Sequence, residues 1–298
     1  MKNFQGPTLL SGSASVMGHC GEILQGQFSV GGAISNGLVT MPIAELGASA
    51  IFRFERGAPS ITVYPREFKK AQAAAKMALA NLCIQGGGSL YVTCELPNGG
   101  GCGSSSACVH ASISAVSNAF SRTISLSDAS RIALEAEGAV DPIHLAPRAL
   151  LFGQTEGCVL EDFAGNIPPM KGIAVFDGEP LDTLSFERPV YSSIEMENFS
   201  VLRAAVRNAV AKQDVSLLGR VATASGLINQ KYLHKQQLDD VVELADRNGA
   251  AGVCVSHSGP AMAVLVDPAY PDHKLKATVT ELKKLGFKEN FVFSTPTS

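Results

Sequence analysis

At 298 residues the chain exceeds the size at which a single hydrophobic core stops growing, so one large domain or two closely packed ones are expected. Hydrophobic residues make up 46% and charged residues 17%, which excludes a disordered chain, and a net charge of −3 with Lys and Arg dispersed excludes a general nucleic-acid surface. The start, MKNFQGPTLLSGSAS, has neither a charged leader nor a long apolar run, so no secretory signal and no membrane span are expected; seven cysteines without a C-x-x-C pair fit a reducing cytoplasm.

From Pro7 to Phe54, short β-prone pieces alternate with glycines, which predicts hairpins of a mixed or antiparallel sheet. Within them, Ser15 to Gln27 reads as a tight turn leaving a strand. EFKKAQAAAKMALANLCI then favours helix through its Ala, Lys and Leu content, and Gly86 to Gly88 stop it. SLYVTCEL reads as a buried strand that delivers the chain to a glycine loop. A helix is predicted over about 105–120, and a second opens at Ser127-Asp128, capped by Ser127 or Ser125, and ends at Gly138. Strands follow near Leu150 and Val159, and GNIPP, residues 165–169, marks a boundary between domains 1–165 and 166–298. The second part predicts a strand at 171–177 and a polar segment with Pro180 and Pro189. Helices follow near 199–212, 215–230 and 235–248, then two strands joined by a turn at 256–260, a helix over about 273–285 and a final strand, ENFVFST. The class is α+β.

Chemistry concentrates in LPNGGGCGSSSACVHA, residues 96–111. Glycines permit positive φ and close approach to a ligand. The serines open a helix whose unpaired N–H groups and positive dipole end favour an anion. The order strand, glycine loop, helix is what a phosphate cradle requires, although a glycine turn with an ordinary serine cap has the same outline. It is not a Walker loop, because no Lys lies between Lys76 and Lys171. A Rossmann fingerprint fails too, since a long β-region precedes the loop.

The loop resembles the second motif of the GHMP kinases, P-x-x-x-G-[LA]-G-S-S-A, with Pro97, Gly101, Cys102, Gly103, Ser104, Ser105, Ser106 and Ala107 falling on it in order. Gly21-Glu22-Ile23-Leu24-Gln25-Gly26 resembles the G-E-L-x-Q-G signature of the L-threonine kinase branch, which serves cobalamin side-chain synthesis. Val255 to Ala261, VSHSGPA, is similar to the third, glycine-rich motif. The resemblance implies a ribosomal-protein-S5-domain-2-like N-terminal half, a ferredoxin-like C-terminal half, and ATP and substrate between them. It implies that Pro97, Gly99, Gly100, Gly101, Cys102, Gly103, Ser104, Ser105 and Ser106 hold the triphosphate. Mg²⁺ would be held by Ser105 with Glu135 or Glu137, and the substrate side would be formed by Gly21, Glu22, Gln25, Ser258 and Gly259.

One stretch departs from the pattern. VDPIHL, residues 140–145, stands where the threonine kinase branch resembles V-E-P-T-D-G, so that Asp141 falls on the Glu and His144 on the Asp expected to act as base. His144 can accept a hydroxyl proton near neutrality, Asp141 is the other candidate, and a mechanism by positioning alone needs neither. The LAP that follows resembles the homoserine kinase string D-N-V-A-P. His19 and Cys20 have no second metal ligand at coordinating spacing, and Cys102 reads as packing. His257, Arg148 and Lys171 are nearby polar groups without an assigned role. The implied reaction is ATP + L-threonine to ADP + O-phospho-L-threonine. Homoserine and serine are the alternative acceptors, and a non-catalytic nucleotide-binding homologue is the rival reading. The partners implied are ATP and a small hydroxy amino acid, with no nucleic acid and no membrane; a homodimer is compatible with the sequence.

Overall fold

The computed structural model describes residues 10–176, 189–257 and 259–296. Its N-terminal part opens with a long hairpin, β1 (Ser11–Val30) and β2 (Ala33–Glu55), turned by Gly31 and Gly32 with φ of +58° and +85°, the conformation a two-residue hairpin turn requires. The expected series of short hairpins is therefore a single one. The Ser15–Gln27 segment is not a turn but the irregular middle of β1, where the register with β2 shifts between Met17 and Gly18, between His19 and Glu22, and between Glu22 and Leu24. Such bulges re-aim side chains without ending the strand.

β3 (Ile61–Tyr64) and the helix α1 (Lys69–Asn81) lead to β4 (Gly87–Cys94), the glycine loop and α2 (Ser104–Ala119). The Ala-rich faces of α1 and α2 let these helices pack closely on each other, and α2 also lies on β1 and β2. α3 (Leu126–Glu137) is capped by Ser125, whose hydroxyl accepts from the Asp128 N–H at 3.1 Å, and is stopped by Gly138 at φ +82°. β5 (Arg148–Gly153) and β6 (Cys158–Asn166) form a second hairpin beside β2.

In the C-terminal part, β7 (Lys171–Phe176), β8 (Gly252–Val255), β9 (Ala261–Val266) and β10 (Asn290–Ser294) lie in the order β10-β7-β9-β8, all antiparallel. With helices between β7 and β8 and between β9 and β10, this is the ferredoxin-like arrangement implied above. The helices are α4 (Ser193–Lys212), α5 (Val215–Asn229), α6 (Leu238–Arg247) and α7 (Asp272–Lys284). α6 and α7 cover one face with a core that includes Ile173, Val175, Val241, Leu244, Val264 and Leu282. α5 packs against β1 and β8. One rung, Glu22 opposite Val255, joins β8 to β1 and makes a single sheet of ten strands. Among the described residues no helix is long and apolar enough to cross a membrane.

Candidate active site

The loop from Pro97 to Ser106 is held in shape by contacts that only glycine tolerates. Gly100 N–H donates to the Pro97 carbonyl at 3.3 Å. Gly101 and Gly103 have φ of +78° and +68°; a Cβ on the first would lie 2.6 Å from Ser256 Cβ, and on the second 2.3 Å from His19 Cδ2. The third motif thus packs directly on the second. Ala261 N–H donates to the Gly100 carbonyl at 3.1 Å. Gly259 lies against Gly101, and its carbonyl accepts from Lys235 Nζ at 2.7 Å and from Ser256 Oγ. Cys102 turns its thiol into the core beside Cys20, while its carbonyl accepts from the His19 N–H at 3.2 Å, so only its backbone faces the loop.

At the start of α2, Ser105 Oγ donates to one oxygen of the Glu137 carboxylate and Ser106 Oγ to the other at 2.8 Å. Glu137 is the last residue of α3, so the Gly138 stop places it opposite the serines. Burial raises its pKa to about 7, against the opposing effect of the two serine hydrogen bonds. Glu135, two residues earlier, lies on another face of α3, 64% exposed and 3.9 Å from Arg131; it does not reach the serines, which corrects its candidacy as a metal ligand.

Asp141 follows in the same connection. Its Oδ2 lies 3.2 Å from His19 Nε2 and 3.5 Å from Ser106 Oγ, and its Oδ1 accepts from Gln154 Nε2 at 2.6 Å. Burial alone would raise its pKa, yet the His19 charge and hydrogen bond, with Gln154, hold it below the ordinary carboxylate value. His19 is 4% exposed; burial disfavours its charge, but Asp141 and then Glu22 outweigh this and raise its pKa to about 9. Glu22 lies behind it, with Oε1 3.7 Å from His19 Nδ1, and burial pushes the Glu22 carboxyl up to about 8 although the His19 charge opposes this. The two ring nitrogens face different carboxylates.

Other predicted residues fall elsewhere. His144 sits in a 3₁₀ turn, Ile143–Leu145, its ring stacked on that of His110 with centroids 3.8 Å apart and its Nε2 3.0 Å from Ser130 Oγ. Burial lowers its pKa to about 4, so it is a neutral packed imidazole between α2 and α3, which corrects its candidacy as the base. Glu22, 1% exposed, sits behind His19, with ligand atoms of His19, Glu22 and Asp141 all within 4.8 Å of one another, and Gly21 serves close packing, since a Cβ there would lie 2.9 Å from the Val255 carbonyl carbon. Ser258 lies outside the described residues. Gln25 does line a pocket, with Asn36, Thr155, Tyr191, His257 and Gln154. Its backbone is fixed by Ser225 and Asn229, its Oε1 meets His257 Nδ1 at 2.8 Å, and its buried Nε2 has no partner among the described residues. Gln154 thus links this pocket to Asp141. His19 and Lys235 were not legible as site residues, because their partners lie far away in the chain, and Gln154, 13 positions from Asp141, belongs to no motif.

The arrangement fits a nucleotide phosphate and its metal ion. Among the described residues no side chain caps α2, which leaves its first N–H groups for an anion, and the loop glycines add no side chains of their own to the cradle. Two hydroxyls and a carboxylate are a hard, oxygen-only donor set suited to Mg²⁺.

Comparison with known proteins agrees. The GHMP kinases N terminal domain matches residues 68–147 and the GHMP kinases C terminal domain residues 204–282. A homoserine kinase of Listeria innocua is 30% identical over 184 residues, 59% of this chain and 62% of that protein, so the match spans less than two thirds of that relative. A homoserine kinase of Listeria welshimeri is 30% identical over 210 residues, 65% of this chain and 69% of that protein. The crystal structure of homoserine kinase from Cytophaga hutchinsonii shares the fold, with a TM-score of 0.73 at 17% identity over 100% of this chain and 98% of that one. Both family domains, in order and meeting where the third motif packs on the glycine loop, show that the chain belongs to the GHMP kinase family.

Proposed function

We propose that the chain transfers the terminal phosphoryl group of ATP to the side-chain hydroxyl of a small hydroxy amino acid, with homoserine ahead of L-threonine. The observation that carries this reading is the position of Asp141, in contact with Ser106 of the phosphate loop on one side and, through Gln154, with the polar pocket at Gln25 on the other. A carboxylate held ionised between a phosphate cradle and a substrate pocket is suited to accept the acceptor hydroxyl's proton. His19 keeps it ionised and fixes its orientation; Gln154 holds its second oxygen.

The loop backbone and the start of α2 would bind the triphosphate, and Ser105, Ser106 and Glu137 would hold Mg²⁺. When bound, the ion neutralises charge on the phosphate oxygens. The unpartnered Gln25 Nε2 gives the pocket a donor for a carboxylate or hydroxyl of the substrate. The homoserine preference rests on the homoserine kinases among the relatives; the Gly21–Gly26 string keeps L-threonine, and with it a place in cobalamin side-chain synthesis, as the second acceptor.

An ADP-release assay across homoserine, L-threonine and L-serine, with phosphorus NMR of the product, tests the proposal. Acceptor-dependent ADP and a phosphate on the side-chain oxygen are expected. Binding of an ATP analogue without turnover of any acceptor would overturn it in favour of a non-catalytic homologue.

A further inference from the structure

Behind the phosphate loop the fold gathers one imidazole and two carboxylates. In a regular strand His19 and Glu22, three residues apart, would point to opposite faces. The register of β1 shifts between them and Gly21 takes φ +75°, so both side chains turn to one side, where Asp141 arrives from the connection after α3. One ligand atom from each residue, a ring nitrogen of His19 and a carboxylate oxygen of Glu22 and of Asp141, lies within 4.8 Å of the other two. The His19 and Glu22 side chains are buried, and that of Asp141 is 16% exposed. His19 Nδ1 stands 3.7 Å from Glu22 Oε1, too far for a hydrogen bond, and this nitrogen and Glu22 Oε2 are buried with no hydrogen-bond partner among the described residues. We propose that His19, Glu22 and Asp141 form a binding site for a divalent transition metal of the Zn²⁺ class, and that the ion arrests phosphoryl transfer by occupying Asp141.

Charge, donor type and spacing select this ligand. Two carboxylates beside an imidazole are balanced by a doubly charged ion, in a place where burial makes unpaired charge costly. A nitrogen with two carboxylates suits Zn²⁺, whereas Mg²⁺ takes oxygen ligands in near-ideal octahedral geometry and so belongs with the hydroxyls and carboxylate of Ser105, Ser106 and Glu137. Tetrahedral ligands around Zn²⁺ stand about 3.3–3.6 Å apart. His19 Nε2 and Asp141 Oδ2, 3.2 Å apart, are already at about that spacing, and no pair in the cluster needs to close by more than about 1.5 Å. Gln154 Nε2 donates to Asp141 Oδ1 at 2.6 Å, the kind of outer hydrogen bond that orients a ligating carboxylate. The exposed edge of Asp141 is the side from which the ion enters and a water completes its coordination. His19 has no second ligand at coordinating spacing in the sequence; the bulge in β1 supplies one and a residue 122 positions away supplies the other. The arrest rests on the proposed role of Asp141 as proton acceptor, whereas the binding of the ion does not.

The untagged full chain is stripped with a chelator and titrated with Co²⁺ in excess Mg²⁺, without nucleotide or acceptor, and then with Zn²⁺ as competitor. Tetrahedral Co²⁺ reports its ligands through visible absorption. The expected result is a visible spectrum that saturates at one equivalent of Co²⁺ and that Zn²⁺, but not Mg²⁺, abolishes. Glu22→Gln and Asp141→Asn should each weaken Co²⁺ binding at least about tenfold, while Glu137→Gln leaves it unchanged. One equivalent of Zn²⁺ should lower acceptor-dependent ADP release at least about tenfold, and a chelator should restore it. No visible spectrum at saturating Co²⁺, a thiolate-to-cobalt band in the near ultraviolet that puts the ion on cysteine, or binding lost in Glu137→Gln but kept in Glu22→Gln would each overturn the site. Zn²⁺ bound to the wild type with ADP release unchanged would overturn the arrest. A chain that binds Co²⁺ as described but turns over no acceptor fails the kinase reading alone.

Discussion

His19 and Asp141, 122 positions apart, meet across the start of α2 with Nε2 and Oδ2 3.2 Å apart. The pairing depends on Gly103, whose missing Cβ leaves the space that the His19 ring fills. Replacing Asp141 with Asn keeps the shape and removes the proton acceptor. kcat is expected to fall by about 10²–10⁴-fold, the range of general-base contributions. KM for ATP should change little, because the loop is untouched. Steady-state kinetics with both substrates varied checks this, and an unchanged kcat would leave positioning alone as the mechanism.

Glu137→Gln removes the carboxylate that faces Ser105 and Ser106. Half-saturation by Mg²⁺ is expected to rise at least about tenfold, a loss seen even for residues one step removed from a metal ion. Glu135→Gln serves as the control and should leave the Mg²⁺ dependence as it is. A Mg²⁺ titration of the initial rate in both variants separates them.

The pH dependence of stability follows from groups that hold protons in the folded state. His19, raised from 6.5 to about 9, contributes stability that is complete below pH 6.5 and lost as pH rises through 9. Glu22, raised from 4.5 to about 8, and Glu137, raised to about 7, favour the protonated form and change in the same direction over lower windows. Asp141, depressed, contributes above its unfolded value of 3.8 and loses that contribution as pH falls through its folded pKa. The Tm of the ligand-free protein is therefore expected to be highest near pH 4 and to decline from about pH 4.5 toward pH 9, first through Glu137 and Glu22 and then through His19. His19→Gln should flatten the part above pH 6.5, and a Tm that rises with pH in the wild type would refute the assignment.

His144→Ala distinguishes a packed ring from a base. Loss of the stack on His110 is expected to lower stability by about 1–3 kcal/mol, the ordinary range for a buried deletion, while kcat stays within about threefold of wild type. Urea unfolding and a rate measurement at a temperature where the variant is fully folded check the two halves. A hundredfold loss of kcat would restore His144 as the base.

Helix positions were legible where local chemistry decides them. Ser125 and Gly138 mark the ends of α3, and the Ala-rich run of α1 is visible from composition alone. β1 was misread because Gly18, Gly21 and Gly26 look like turn residues. Each instead removes a Cβ that would strike Leu96, Val255 or Phe199, so these glycines report contacts with distant elements. The same reason hid the site: the loop could be read from its own glycines and serines, whereas His19 with Asp141, and Lys235 with Gly259, become neighbours only through the tertiary fold. The choice between Glu135 and Glu137 turned on the rotation of α3, which its capping residues do not report.

The single rung between Glu22 and Val255 has a bearing on how the enzyme is made. A strand that begins at residue 11 cannot complete its pairing until residue 255 has left the ribosome. Such long-range pairing is slow to form, because closing the intervening loop costs entropy before the contacts reward it. His19 and Glu22 lie on this strand at the rung, and Gly101 is packed by Ser256 and Gly259 just beyond it. The groups proposed to act on phosphate therefore come together late, after more than four fifths of the chain has been synthesised, and a nascent chain stopped short of β8 is expected to lack the assembled site.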